Sequence, residues 1–121
     1  MTTTNNTGIK AFQATAAAIN EGIRVKVDSA GLISAAAAAE IAIGVTVEPI
    51  AASGYGNVKL FSASGTWICT ASAAIARGTQ LYPAAAGKVA GTGTTKLLLV
   101  NLEAAAADGD MIECAPCWLG A

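Results

Sequence analysis

Residues 72–89 read SAAIARGTQLYPAAAGKV, and the fold turns on whether this alanine-rich run is helix or loop. Alanine has the highest helix propensity, but Gly78, Pro83 and Gly87 cut the run every few residues, so no helix of useful length fits. The stretch is also a second copy. Residues 16–33, AAAINEGIRVKVDSAGLI, place Ile19 and Gly22 against Ile75 and Gly78, and Gly31 against Gly87. The likeness runs from Ala14 to Gly54 and again from Thr70 to Gly109, with one residue deleted in the second copy so that Glu48 meets Glu103. Repeats this long mark duplicated supersecondary units, expected here to share one core.

Within the first copy, Ile23, Val25 and Val27 alternate with Arg24, Lys26 and Asp28, the period of a half-buried strand. DSAG turns the chain, Leu32 and Ile33 begin the return, and Ile41, Ile43, Val45 and Val47 alternate again before PIAASGYG makes another turn. The second copy follows with Leu81 and Tyr82, the turn PAAAG, Val89, then KLLLVNLE. Between the copies, NVKLFSASGTWICT (57–70) carries two short apolar runs around Ser64-Gly65 and predicts a hairpin. Ala16 to Asn20 and Ser72 to Ala76 are expected as short helical turns or tight loops, each feeding a strand through a glycine able to take positive φ.

The predicted fold is all-β, a compact β-barrel or sandwich from two similar halves with short helical turns. Parallel α/β is excluded because no periodic helix stands between the strands. Residues 1–13 read as an extended arm and 14–121 as one β-rich domain. Val25, Val27, Ile43, Val45, Leu60, Leu81, Leu99 and Leu102 are the expected core.

The 121 residues carry 12% charged side chains, a net charge of −1 and no histidine. Seven scattered Lys and Arg give no footprint for nucleic acid, which needs clustered cations at phosphates. Much of the 54% hydrophobic content is alanine, so the surface must be covered by Ala, Gly, Ser and Thr, which suits contact with other protein. Leu32 to Ala52 is interrupted by Glu40, Glu48 and Pro49 and does not read as a membrane span. The start, MTTTNNTGIKAF, lacks the layout of a signal peptide, making the cytoplasm the expected place of synthesis. Three cysteines, an odd number, fit a reducing compartment better than a disulfide framework.

Cys114-Ala115-Pro116-Cys117 has redox CxxC spacing, but the helix whose N-terminus would activate a thiolate does not follow; two structural thiols are the better reading. Zinc would need a carboxylate to complete Cys69, Cys114 and Cys117, and no metal or other cofactor is expected. Without histidine, a serine nucleophile would need an unusual lysine base, and the carboxylates fall mostly at turns and strand ends, so no catalytic residue is assigned and the protein is not expected to be an enzyme. GTGTTK (91–96) lacks the GxxxxGK[ST] pattern of a phosphate loop. Trp67 and Tyr82 suit packing better than a ligand platform.

The pattern INEGIRV, AGLI, EIAIGVTVE, then ASAAIARGTQLYPAAAGKV and LVNLEAAAADGDMIE resembles the small cement, or decoration, proteins of tailed-bacteriophage heads over roughly Ala14 to Glu113. That resemblance implies a β-rich, non-catalytic protein bound to the outside of the capsid, with the major capsid protein as partner and no nucleic acid or membrane. It also implies assembly in the host cytoplasm and, together with the low-charge surface, a homotrimer. The tail CAPCWLGA departs from the family. A virion fibre or binding module for a glycan or host receptor, with Tyr55, Trp67 and Tyr82 at its site, is the alternative. The residues expected to touch capsid or a neighbouring subunit are Thr2, Thr3, Thr4, Asn5, Asn6 and Thr7, as an arm adding to a strand edge, and Trp118 and Leu119, two large apolar side chains in the tail.

Overall fold

The structure, a computed structural model, describes residues 7–117. Ten strands are described: β1 (Ile9–Ala14), β2 (Arg24–Val27), β3 (Leu32–Ala35), β4 (Gly44–Thr46), β5 (Tyr55–Leu60), β6 (Trp67–Thr70), β7 (Tyr82–Pro83), β8 (Val89–Ala90), β9 (Leu99–Asn101) and β10 (Met111–Pro116). The first five close into a barrel in the order β1-β3-β2-β4-β5, with β1 parallel to β3 and the other pairs antiparallel. All-β is therefore the fold class. Among the described residues no helix is long and apolar enough to cross a membrane.

The second half repeats this barrel in looser form. β6 pairs with β10, β10 with β9, and β7 with β8, while single bridges, Ala71 with Val89 and Gln80 with Val100, stand where the first barrel has its β1–β3 and β2–β4 ladders. The registers agree residue by residue: Lys26 opposite Ser34 becomes Tyr82 opposite Ala90, and Thr46 opposite Val58 becomes Asn101 opposite Cys114.

The duplication is longer than the sequence similarity. Its copies run from β1 to β5 and from β6 to β10. Two expectations are corrected here. Asn57 to Thr70 is no hairpin: β5 pairs with β1 and β4, β6 pairs with β10, and the segment between them joins the two barrels. Residues 9–13 belong to no arm, because β1 is a barrel strand with partners on both sides.

The alanine segments are loops, not helical turns; the one short helical element among the described residues is a 3₁₀ turn at Ala85–Gly87. Their geometry comes from matched anchors. Gly22 and Gly78 take φ of 76° and 80°, a region in which a side chain is strained. Behind each, one buried polar side chain ties the loop down. Thr46 Oγ1 accepts from the Ile23 N–H at 3.1 Å and donates to the Asn20 carbonyl at 2.7 Å. In the second barrel the Asn101 side chain accepts from the Thr79 N–H at 2.7 Å and donates to the Ala76 carbonyl at 2.9 Å. Carboxylates work the same way at the turns. Glu48 and Glu103 accept from the N–H groups of Asn57 and Glu113, Asp28 closes the turn between β2 and β3, and Asp110 closes the loop before β10. These acids cap turns; they are more than solvated surface.

The expected single core is two. Ala14, Ile19, Ile23, Val25, Ile33, Ile50 and Val58 fill the first barrel. Trp67, Cys69, Ala71, Ile75, Leu81, Val89, Leu99, Ala105, Ile112 and Cys114 fill the second, together with Val45 from the first. Of the expected core, Val25, Val45, Leu81 and Leu99 are buried and Ile43 and Leu60 half-buried, whereas Val27 and Leu102 are exposed. Val27 ends β2 where the chain leaves for its turn, and Leu102 lies one residue past β9, so neither has a second layer to pack on.

Candidate interaction surface

Arg24 breaks the alternation. On the polar side of β2 it should face water, yet it is only 1% exposed. The second barrel covers that side: Arg24 Nε donates to the Lys88 carbonyl at 3.1 Å and Nη2 to the Ala84 carbonyl at 2.8 Å. Carbonyls rather than a carboxylate hold this guanidinium, and burial lowers its pKa from the usual arginine value. Around it the barrels are joined by main chain. The Thr70 N–H donates to the Gly22 carbonyl at 3.0 Å, and the Gly87 N–H to the Ala36 carbonyl at 2.8 Å. A Cβ on Gly87 would overlap Ile23 Cγ2 and lie 2.7 Å from the Arg24 carbonyl oxygen, so glycine is required there.

Beside this joint opens a cleft of about 640 Å³, walled by Ala38–Ala42 of the first barrel and Thr95–Leu99 of the second, with Phe61, Trp67 and Arg24 also lining it. Ile41 and Leu98 stand at 86% and 57% exposure. Trp67 itself is buried, its Nε1 donating to the Lys59 carbonyl at 3.3 Å, and it packs near Phe61 with ring centroids 6.1 Å apart. Trp67 thus packs, as expected; Tyr82 is half-buried and Tyr55 is 74% exposed.

The CxxC pair is not brought together as a reactive unit. Cys114 faces the core of the second barrel, while Cys117 lies at the cleft with its Sγ 3.5 Å from Gln80 Oε1. Cys114 instead has Cys69 as its neighbour across β6 and β10, and the hydrogen bond to Cys114 together with burial pushes the Cys69 thiol well up. All three cysteines are free. Among the described residues no group of three or more Cys, Asp or Glu is placed to hold a metal.

Of the expected contact residues, Thr2, Thr3, Thr4, Asn5, Asn6, Trp118 and Leu119 lie outside the described residues. Thr7 is exposed and its hydroxyl meets the Ile9 main chain at 3.1 Å. The surfaces that the sequence did not disclose are the joint and the exposed apolar side chains around it. The position that differs most in its role is Arg24, buried in the joint where its counterpart Gln80 is not, and among the many differences between the copies nothing singles it out.

A closed five-stranded barrel followed by a second, looser copy of it, the two joined through buried main chain, defines an all-β class of tandem-repeat fold. By sequence, no protein-family model and no curated protein matches the chain. By structure, the chain is similar to the N base of the head fiber protein gp8.5 of bacteriophage phi29, with a TM-score of 0.71 at 18% identity over 89% of this chain and 93% of that one.

Proposed function

We propose that this protein is a non-enzymatic structural component of a bacteriophage head, a decoration or cement protein that binds the outer surface of the shell through the major capsid protein and acts as a homotrimer. The observation that carries the reading is the near-complete two-way coverage of a head fiber base by the fold. The sequence resemblance to cement proteins and the low-charge, alanine-rich surface point the same way. A partner that binds the assembled shell but not its dissociated parts stabilises it by mass action, about 2.7 kcal/mol per site at a hundredfold excess over Kd. Purified protein should co-sediment with expanded heads at saturating stoichiometry and raise their thermal disruption temperature. Failure to bind heads overturns the reading.

The name of the structural neighbour favours one second reading, the base of a fibre anchored on the head. A fibre base shares the attachment but needs no cement action. Saturable head binding with an unchanged disruption temperature would select it.

A further inference from the structure

The joint between the barrels is not reciprocal. Were the two halves related by a twofold axis, each contact would occur twice with the copies exchanged. Instead the first barrel contributes Gly22, Ile23, Arg24 and Ala36, and the second contributes a different surface: Thr70, Met111 and the turn Ala84–Lys88. Such a heterologous contact leaves one unused copy of each surface on every chain.

The glycines report this directly. A Cβ on Gly22 would lie 3.1 Å from Thr70 Oγ1 and 3.3 Å from Met111 Cε, whereas the same atom on its counterpart Gly78 would meet nothing within 4 Å. Gly87 is pressed against Ile23 and Arg24, whereas its counterpart Gly31 is equally open. The counterpart of Met111, the side chain that covers Gly22, is Tyr55, and the counterpart of Thr70 is Gln13, as the matching β10–β6 and β5–β1 registers require. Tyr55 is thus a large aromatic side chain, 74% exposed, at the position where the second barrel seats its neighbour.

We infer that the open loop around Gly78 seats on the Tyr55–Gln13 face of the first barrel in a second copy of this chain, repeating between chains the joint that each chain makes internally. The repeat is not complete. β1 and β3 keep two paired residues where the second barrel retains one bridge, so the Gly22 carbonyl that takes the Thr70 N–H has no equivalent opening on the first barrel. Gln80, in place of Arg24, is committed to the Leu97 and Leu99 carbonyls. The contact between chains therefore rests on Tyr55 over Gly78 and is weaker than the tethered one, which gains from high effective concentration. It does not depend on the protein's binding a phage head.

Sedimentation equilibrium of the full chain from micromolar to millimolar concentration tests the inference. Reversible association is expected, either to a closed ring or to a growing polymer, since both follow from a heterologous contact. Tyr55→Ser should weaken it about tenfold or more, as loss of an aromatic anchor does, with unchanged melting temperature because the ring is exposed. In a Cys117→Ser background that keeps Tyr55, a short thiol cross-linker should join copies carrying Gln13→Cys to copies carrying Arg77→Cys several-fold more than it joins either variant to itself. A monomer throughout the range, association indifferent to Tyr55→Ser, or no preference for the mixed pair overturns the inference.

Discussion

Gly31 and Gly87 hold the same place in the two barrels, with φ of 82° and 73°, yet one looks into open space and the other is pressed between Ile23 and the Arg24 main chain. The same holds for Gly78 and Gly22, in the opposite order along the chain. Local geometry is common to both members of each pair; the surroundings are not. The backbone conformation of a repeat is set within the repeat, while its energetic weight is set by which copy faces the joint.

Substitution of the paired glycines is the hardest test of that distinction. Gly87→Ala must both strain a left-handed residue and displace buried main chain, and should cost about 3 kcal/mol or more. Gly31→Ala meets only the conformational penalty, about 1 kcal/mol. Urea unfolding of the two variants measures the gap, and equal losses would break the comparison. Next in size is the exchange of polar anchors. Arg24→Met leaves the Ala84 carbonyl without its donor in a buried site and takes one of two donors from the Lys88 carbonyl, a loss of about 2–3 kcal/mol. Gln80→Met, on the partly open counterpart, should cost about 1 kcal/mol by the same measurement.

Two titrations sharpen the contrast further, since each belongs to one barrel alone. The raised pKa of Cys69 means that the folded protein holds this proton more tightly than the unfolded chain. Its contribution is whole below the unfolded thiol value, about pH 8.5, and is lost as pH climbs towards the folded one. The urea midpoint should fall over that alkaline range, and Cys69→Val should flatten the fall. The smallest effect is at Glu40, held low by the Lys26 ammonium and the Ala37 N–H. Being depressed, it stabilises above the unfolded carboxylate value, about pH 4.3, and that contribution disappears as pH drops through the folded value. Glu40→Gln should move the acid unfolding midpoint slightly upward, and added salt should erase the difference.

The legible part of the sequence was the turns. Gly22 with Gly78 and Gly31 with Gly87 are conserved between the copies because the backbone enters a region that side chains resist, and Glu48 with Glu103 because each caps an N–H. Strands leave a weaker trace. Tyr55–Leu60 and Met111–Pro116 occupy the same place in the fold with no residue in common, since a strand asks only for alternation and fit. The outer strands were therefore read as an arm, a hairpin and a tail. Arg24 shows the other limit. Its alternation correctly put it on the outer face of β2, and nothing within the repeat could say that another barrel would cover that face. For the same reason the joint stayed hidden.

Val45 adds one more consequence. It is a β4 residue of the first barrel whose side chain completes the core of the second, while the first core is built only from residues that precede the joining segment. Ribosomes deliver chains N-terminus first, at a pace slow enough for an early domain to settle before a later one emerges. Residues up to Leu60 can thus mature without waiting, and then serve as a template on which the remainder condenses. Order of manufacture is written into the molecule, and a circularly permuted chain that presented the second half first would emerge with nothing to close upon.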